Sequence, residues 1–361
     1  MWDVLIQGGN EMRVKFKRAI LLFLCSVLGG VVLSGCSSLL AIDEVEAPKQ
    51  AEIRVGVVLY TAEDPFVMKI YDSIIACAKQ EQELSQTKII VEVLDSEYDQ
   101  NLQTTQIEQL IKEKYDAIAI NLVDRAEASN IIDKVKNAKI PVVIFNREPV
   151  PQDMDKWDEV YYIGSHAAEA GEMQGEILLE AIQKGREIDK NRDGIIQYVM
   201  LEGEQGHQDS ILRSYHSIKV LEEAGLRTES LAMDTAMWQR VQAKDKMLEW
   251  VEKFGNKIEV VLSNNDEMAL GAITALEEKG YYDKKAIPVL GIDGLDQALH
   301  AIEEEKMLGT VLNNADEQGR AIFSKLYSLA ANKPSQIVRD YESGDKYLWI
   351  PHQIITKETL K

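Results

Sequence analysis

The sequence predicts a doubly wound α/β protein made of two similar lobes. Three observations carry this. From residue 53 onward, short β-branched runs alternate with amphipathic stretches of helical period. The runs are apolar almost throughout, as strands are when helices cover both faces of a parallel sheet. The pattern also restarts midway, which gives more strands than one compact sheet holds, and 361 residues suffice for two domains with a core each.

In chain order, the expected strands are "IRVGVVLY" from Ile53, "KIIVEVLD" from Lys88, "DAIAIN" from Asp116, "IPVVIFN" from Ile140, "IIQYVMLE" from Ile195, "IEVVLS" from Ile258 and "IPVLGID" from Ile287. Between them lie segments of helical length, among them Gln103 to Lys114, Ala126 to Ala138, Asp209 to Ala224 and Met237 to Phe254. Right-handed βαβ units connect such elements. Residues 148 to 165, "EPVPQDMDKWDEVYYIGS", lack a clear period and form the candidate crossing between lobes.

The segment before residue 53 stands outside this pattern. After Met12 a basic start, "RVKFKR", leads into an apolar stretch from Ala19 to Leu33 and then "LSGC" with Cys36. A basic n-region, a short apolar region and small residues before a cleavage point describe an export signal over residues 1–35, too short for a membrane span. "LSGC" resembles the lipobox of bacterial lipoproteins, which implies lipidation at Cys36 and a linker over residues 36–52. Anchoring would then be by lipid alone, on the extracytoplasmic face of the cell membrane, or in the periplasm of a double-membrane cell.

Forty Lys and Arg stand against sixty Asp and Glu, a formal charge of -20. The first 35 residues carry a net +2, so cleavage leaves -22. That field repels phosphate backbones and offers no basic stripe, so nucleic acid is excluded as a partner. Of the three cysteines, Cys25 leaves with the signal and Cys36 takes the lipid, which leaves Cys77 in "SIIACAK" as a small core residue.

In an open α/β sheet, ligands bind at the carboxyl ends of the strands. The residues found there are Asp64 and Phe66, Asn146, His207, Asp209 and Arg213, Asn265, Asp293 and Asn313, with Trp238 expected to open a helix in "DTAMWQ". Asp and Asn satisfy sugar hydroxyls, Arg donates to two oxygens at once, and aromatic rings pack on the C–H faces of a pyranose. The Gly-rich nests or clustered Lys of a phosphate site are absent from these positions. Taken singly, His207 also reads as a loop histidine, Trp238 as a core anchor and Asp64 as a helix cap ahead of Pro65.

At 189–197 the chain reads "DKNRDGIIQ", which places Asp189, Asn191, Asp193, Gly194 and Gln197 at positions 1, 3, 5, 6 and 9 of a calcium loop. Position 12 should be a bidentate Glu, yet it is Met200 inside an apolar run. The plain alternative is a solvated acidic turn with Asx hydrogen bonding.

The segments "NREP", "DKNRDGIIQ", "EGEQGHQD", "DTAMWQRVQAKDKM", "KIEVVLSNNDEMALGA" and "GTVLNN" resemble, in order from about residue 53 to 320, the galactose/glucose-binding proteins, type I solute-binding proteins of ABC importers. The resemblance implies two Rossmann-like lobes of the periplasmic binding protein type I fold, joined by a three-segment hinge crossing near 164–165, 310–313 and 349–352. The amino-terminal lobe would comprise 53–163 and 314–348, and the carboxy-terminal lobe 165–311 and 350–361. The resemblance carries the sugar-binding role to Asp64, Phe66, Asn146, His207, Asp209, Arg213, Trp238, Asn265, Asp293 and Asn313, with the two aromatics sandwiching the pyranose. It completes the calcium set with Glu259 from a distant strand, beside Asp189, Asn191, Asp193, the Ile195 carbonyl and Gln197. Pro65 after Asp64 and Gln208 between His207 and Asp209 depart from the family pattern and bear on the choice between glucose and galactose. The implied partners are a hexose, an ABC permease and, as a second role, a chemoreceptor or sensor kinase, with the protein itself a monomer. An enzyme is not expected, because nothing specifies the separated carboxyl pair that glycoside hydrolysis needs. A repressor would need an N-terminal helix-turn-helix and no export signal.

Overall fold

The computed structural model describes residues 52–282, 286–337 and 345–360. The expected export signal, Cys36 and the linker up to residue 51 lie outside the described residues. Among the described residues, no helix is long and apolar enough to cross a membrane.

The first half runs β1 (Glu52–Leu59), α1 (Pro65–Ser85), β2 (Lys88–Asp95), α2 (Gln100–Lys112), β3 (Ala117–Ile120), α3 (Ala128–Ala138), β4 (Val142–Phe145), α4 (Pro151–Met154) and β5 (Val160–Gly164). The second runs α5 (Ala167–Gln183), β6 (Ile195–Glu202), α6 (Gln208–Glu223), β7 (Arg227–Thr235), α7 (Arg240–Phe254), β8 (Val260–Ser263), α8 (Asp266–Glu278), β9 (Val289–Asp293), α9 (Asp296–Glu303) and β10 (Gly309–Leu312). α10 (Ala315–Ala331), β11 (Tyr347–Trp349) and β12 (Gln353–Thr356) close the chain.

Two six-stranded sheets result, ordered β2-β1-β3-β4-β5-β11 and β7-β6-β8-β9-β10-β12. The two halves thus repeat one strand order, with all neighbours parallel except β10 and β12. The predicted fold class is the one observed. Apolar runs are needed because both faces are covered. Along β1, Val55, Val57 and Leu59 join the core that includes α1 and α10, while Val58 joins Ile107 and Leu110 of α2 and Ile131 of α3 on the opposite face. On the second sheet, Tyr198 and Met200 pack with Ile177 and Leu178 of α5, while Val199 and Leu201 face the other way. Cys77 is a free, buried thiol within the first core.

Three details differ from the sequence reading. The stretch 148–165 is not structureless, for it holds α4 and the paired strand β5, and the chain leaves the first sheet only at its end, after Gly164. Strand β7 carries the polar run "RTESLAMDT" because it is a half-exposed edge, which erases the apolar signature. α7 starts at Arg240, not Met237: Met237 and Trp238 stand before it at φ 52° and 64°.

The chain passes between sheets after Gly164, between β10 and α10, and between β11 and β12. The first and third crossings touch: Ile350 N–H donates to the Gly164 carbonyl at 2.8 Å, and the His166 ring stacks on Trp349 at 3.8 Å.

Candidate functional site

The loops at the carboxyl ends of both sheets meet around one pocket. Its lining is Tyr60, Asp64, Phe66, Asn146 and Arg147 from the first lobe and His207, Asp209, Arg213, Trp238, Asn265 and Asp293 from the second. Nine of the ten residues expected from the sequence are among them. Asn313 is not part of the wall. It lies buried just behind, hydrogen-bonded to the Asp293 carboxylate and accepting Gln318 Nε2 at 2.6 Å.

Helix starts fix several of these side chains. Asp64 caps α1, its Oδ1 accepting the Phe66 N–H at 2.9 Å with Pro65 at the first helical position. The cap reading and the pocket reading of Asp64 therefore hold together, since one oxygen caps and Oδ2 accepts the Tyr60 hydroxyl at 2.6 Å. Burial, then the Asp64 charge, raises the Tyr60 hydroxyl well above its ordinary range, so it stays a donor. His207 caps α6 by accepting the Asp209 N–H on Nδ1 at 3.1 Å, which leaves Nε2 to carry the proton of the neutral ring. Burial lowers its pKa to about 4. Asn265 caps α8, Oδ1 accepting the Met268 N–H at 2.9 Å, and its Nδ2 donates to the Trp238 carbonyl at 3.4 Å.

The remaining members are held by charge and by backbone shape. Arg213, one helical turn into α6, donates Nη1 to the Asn264 carbonyl at 2.9 Å and Nη2 to Asp209 Oδ2 at 3.4 Å, with Asp293 Oδ1 at 4.0 Å from Nη1. Its Nε is buried without a protein hydrogen-bond partner. Burial pushes the Asp293 carboxyl well above the usual carboxylate range, against the pull of Arg213, and pushes its buried neighbour Asp266 to about 6. Asn146, Trp238 and Asp293 all have positive φ, at 63°, 64° and 133°, a concentration of backbone strain that marks functional sites.

Three carboxylates therefore meet two guanidiniums and a neutral imidazole, with Phe66 and Trp238 contributed from opposite lobes. Such a set offers donors and acceptors in both directions and no excess positive charge for an anion. It suits a neutral, polyhydroxylated ligand with an apolar face.

Tyr60 and Arg147 were missed by the sequence reading, although Tyr60 ends the first predicted strand and Arg147 lies in the quoted "NREP". Behind Asn146 stands fully buried Asn121, whose Nδ2 donates to Asn146 Oδ1 at 3.2 Å and whose Oδ1 lacks a protein partner. Its place after "AIAI" is the signal that could have found it.

The calcium-loop residues also assemble. Glu259, buried immediately before β8, accepts the Lys190 N–H on Oε1 at 2.6 Å and the Gln197 N–H on Oε2 at 3.1 Å. Asp193 Oδ2 gathers Asn191 Nδ2 at 3.0 Å and Gln197 Nε2 at 2.9 Å, while Asp189 Oδ1 is buried with no partner. Among the described residues, no three carboxylate, imidazole or thiol groups form a metal cluster by themselves. The expected set is instead mixed, with two amides and one carbonyl, and the orphaned Asp189 oxygen together with the converging carboxylates and amides fits a hard, oxygen-seeking cation.

The profile of the periplasmic binding protein domain matches residues 55–334. The chain is 36% identical over 330 residues to the D-galactose/methyl-galactoside binding periplasmic protein of Haemophilus influenzae, covering 91% of this chain and 97% of that one. It is 30% identical to a putative rhizopine-binding protein of Rhizobium meliloti, over 75% of this chain and 81% of the other. Among solved structures, the ABC transporter solute binding protein of Bacillus halodurans with bound myo-inositol superposes with a TM-score of 0.70 at 28% identity, covering 87% of this chain and 98% of that one. With its paired, parallel-rich α/β sheets, the chain belongs to the periplasmic binding protein family.

Proposed function

We propose that this protein is an exported solute-binding lipoprotein that takes up D-galactose or D-glucose in the interlobe pocket and delivers it to an ABC permease. The observation that carries the reading is the lining of one pocket by acids, amides, Arg213 and two aromatic rings drawn from both lobes. The galactose-binding relative and the binding of other sugars and polyols by further members support it. Closure of the lobes around the ligand supplies the mechanism, since binding energy realised only when both lobes touch the sugar shifts the open and closed populations. A micromolar dissociation constant corresponds to roughly 8 kcal/mol, within which closure must be driven.

In this reading Asp189, Asn191, Asp193, the Ile195 carbonyl, Gln197 and Glu259 would hold a calcium ion, which supplies charge neutralisation for the loop and its tie to β8. Cys36 carries the lipid anchor. Calorimetric titration with galactose, glucose, ribose, xylose and myo-inositol tests the proposal. Tight binding of galactose or glucose alone is expected, and heat only with a pentose or inositol would replace the hexose reading.

A further inference from the structure

Arg147 follows β4 of the first lobe and Glu204 follows β6 of the second, and Arg147 Nη2 donates to Glu204 Oε2 at 2.7 Å across the cleft. The guanidinium side chain is 6% exposed and the carboxylate 35%. Arg147 is also committed to its own lobe, with Nη1 donating to the Val123 carbonyl at 2.6 Å and the guanidinium lying 4.2 Å from the Tyr60 ring centroid. Tyr60 in turn donates to Asp64 inside the pocket. Arg147 lines both the binding pocket and the cavity just outside it, whereas Glu204 lines only the outer cavity. A neighbouring contact, Gln208 Nε2 to Glu148 Oε2 at 2.7 Å, also spans the lobes. Among the described residues a further cross-cleft ion pair, Lys69 with Asp296 at 3.2 Å, has an almost fully exposed carboxylate and is open to screening by salt.

We propose that the Arg147–Glu204 pair is a latch that holds the lobes closed over the ligand. The inference rests on the hexose reading of the pocket and deepens it by naming what sets the residence time. Opening the cleft separates a nearly buried guanidinium from the Glu204 carboxylate, while Val123 and Tyr60 remain with it. A pair formed only on closure resists opening but contributes little to the first encounter. Its loss therefore acts on release rather than capture.

The test is stopped-flow fluorescence of Glu204→Gln and wild type with D-galactose and with D-glucose, at low and high salt. Glu204 lies outside the pocket lining, so the substitution leaves the binding groups in place, and an unchanged melting curve verifies the fold. Dissociation is expected to quicken about tenfold or more while association changes by less than about threefold. Salt should speed release from wild type more than from the variant. The charge-exchanged double variant, Arg147→Glu with Glu204→Arg, should release more slowly than Arg147→Glu alone. Dissociation from Glu204→Gln within about twofold of wild type, or a fall in association that accounts for the whole change, overturns the latch. If wild type binds neither sugar, the hexose reading fails, and the latch is decided separately by the same release measurement with whichever of ribose, xylose or myo-inositol calorimetry shows to bind. Faster release of that ligand from Glu204→Gln supports the latch and equal release overturns it.

Discussion

The indole of Trp238 lies against the α-carbon of Gly203, so close that a β-carbon there would come within 2.1 Å of two ring carbons. Gly203 directly follows β6, and Trp238 precedes α7 at a positive φ, so the two loops of the second lobe fit together only without a side chain at residue 203. Gly203→Ala must push the ring toward the pocket or distort the backbone. Overpacking of this kind costs about 1–3 kcal/mol. The expected outcome is a modest fall in melting temperature with at least about a tenfold loss of hexose affinity, because the displaced ring occupies ligand space. Calorimetry and a thermal melt on the same preparation check it.

Removing Arg213 leaves the buried side chains of Asp209 and Asp293 without the guanidinium that lies beside both. Breaking a buried ion pair by deleting one member costs about 3–5 kcal/mol. Arg213→Met should therefore lower stability sharply and abolish sugar binding. Asp209→Asn should keep most of the stability and lose affinity only. Denaturant melts beside binding titrations separate the two.

His207 makes stability pH-dependent. Its folded pKa of about 4 lies below the ordinary 6.5, so between these values the unfolded chain binds the extra proton and the folded chain does not. Stability therefore falls as pH drops from 6.5 toward 4 and levels off below that, by about 3 kcal/mol in all for this group. His207→Gln should flatten the acid limb of the stability curve over that window. Equal slopes in both proteins would mean that other groups dominate.

The calcium proposal is checked by chelation. If the ion is present at 100 times its dissociation constant, its removal costs roughly 2.7 kcal/mol. EGTA should lower the wild-type melting temperature and leave that of Glu259→Gln unchanged, since this variant weakens the site beforehand. A wild-type melt indifferent to chelator would mean that hydrogen bonds, those to Glu259 among them, hold the loop without an ion.

Much of the fold was legible because burial leaves a one-dimensional trace. Central strands such as Val142–Phe145 and Val260–Ser263 are wholly buried and read as unbroken apolar runs. Three of the four edge strands left no such trace, β2 being the exception. β7 is polar because one edge faces solvent, and β11 and β12 are too short for a period to appear. The start of α7 was misread for a related reason: Trp238 looks like part of an amphipathic helix, and only its backbone conformation excludes it.

The sequence by itself determined the kind of residue at each strand end, and therefore the chemistry on offer: acids, amides, a guanidinium and aromatics at positions that a parallel sheet turns toward a ligand. What only the tertiary structure decided is which of these share one space. It set Asn313 behind the wall, brought Tyr60 and Arg147 into it, and paired Arg147 with Glu204 from the opposite lobe. Local propensity reaches a few residues along the chain. Contacts between residues 57 positions apart depend on how two sheets come to face each other, and no local pattern encodes that.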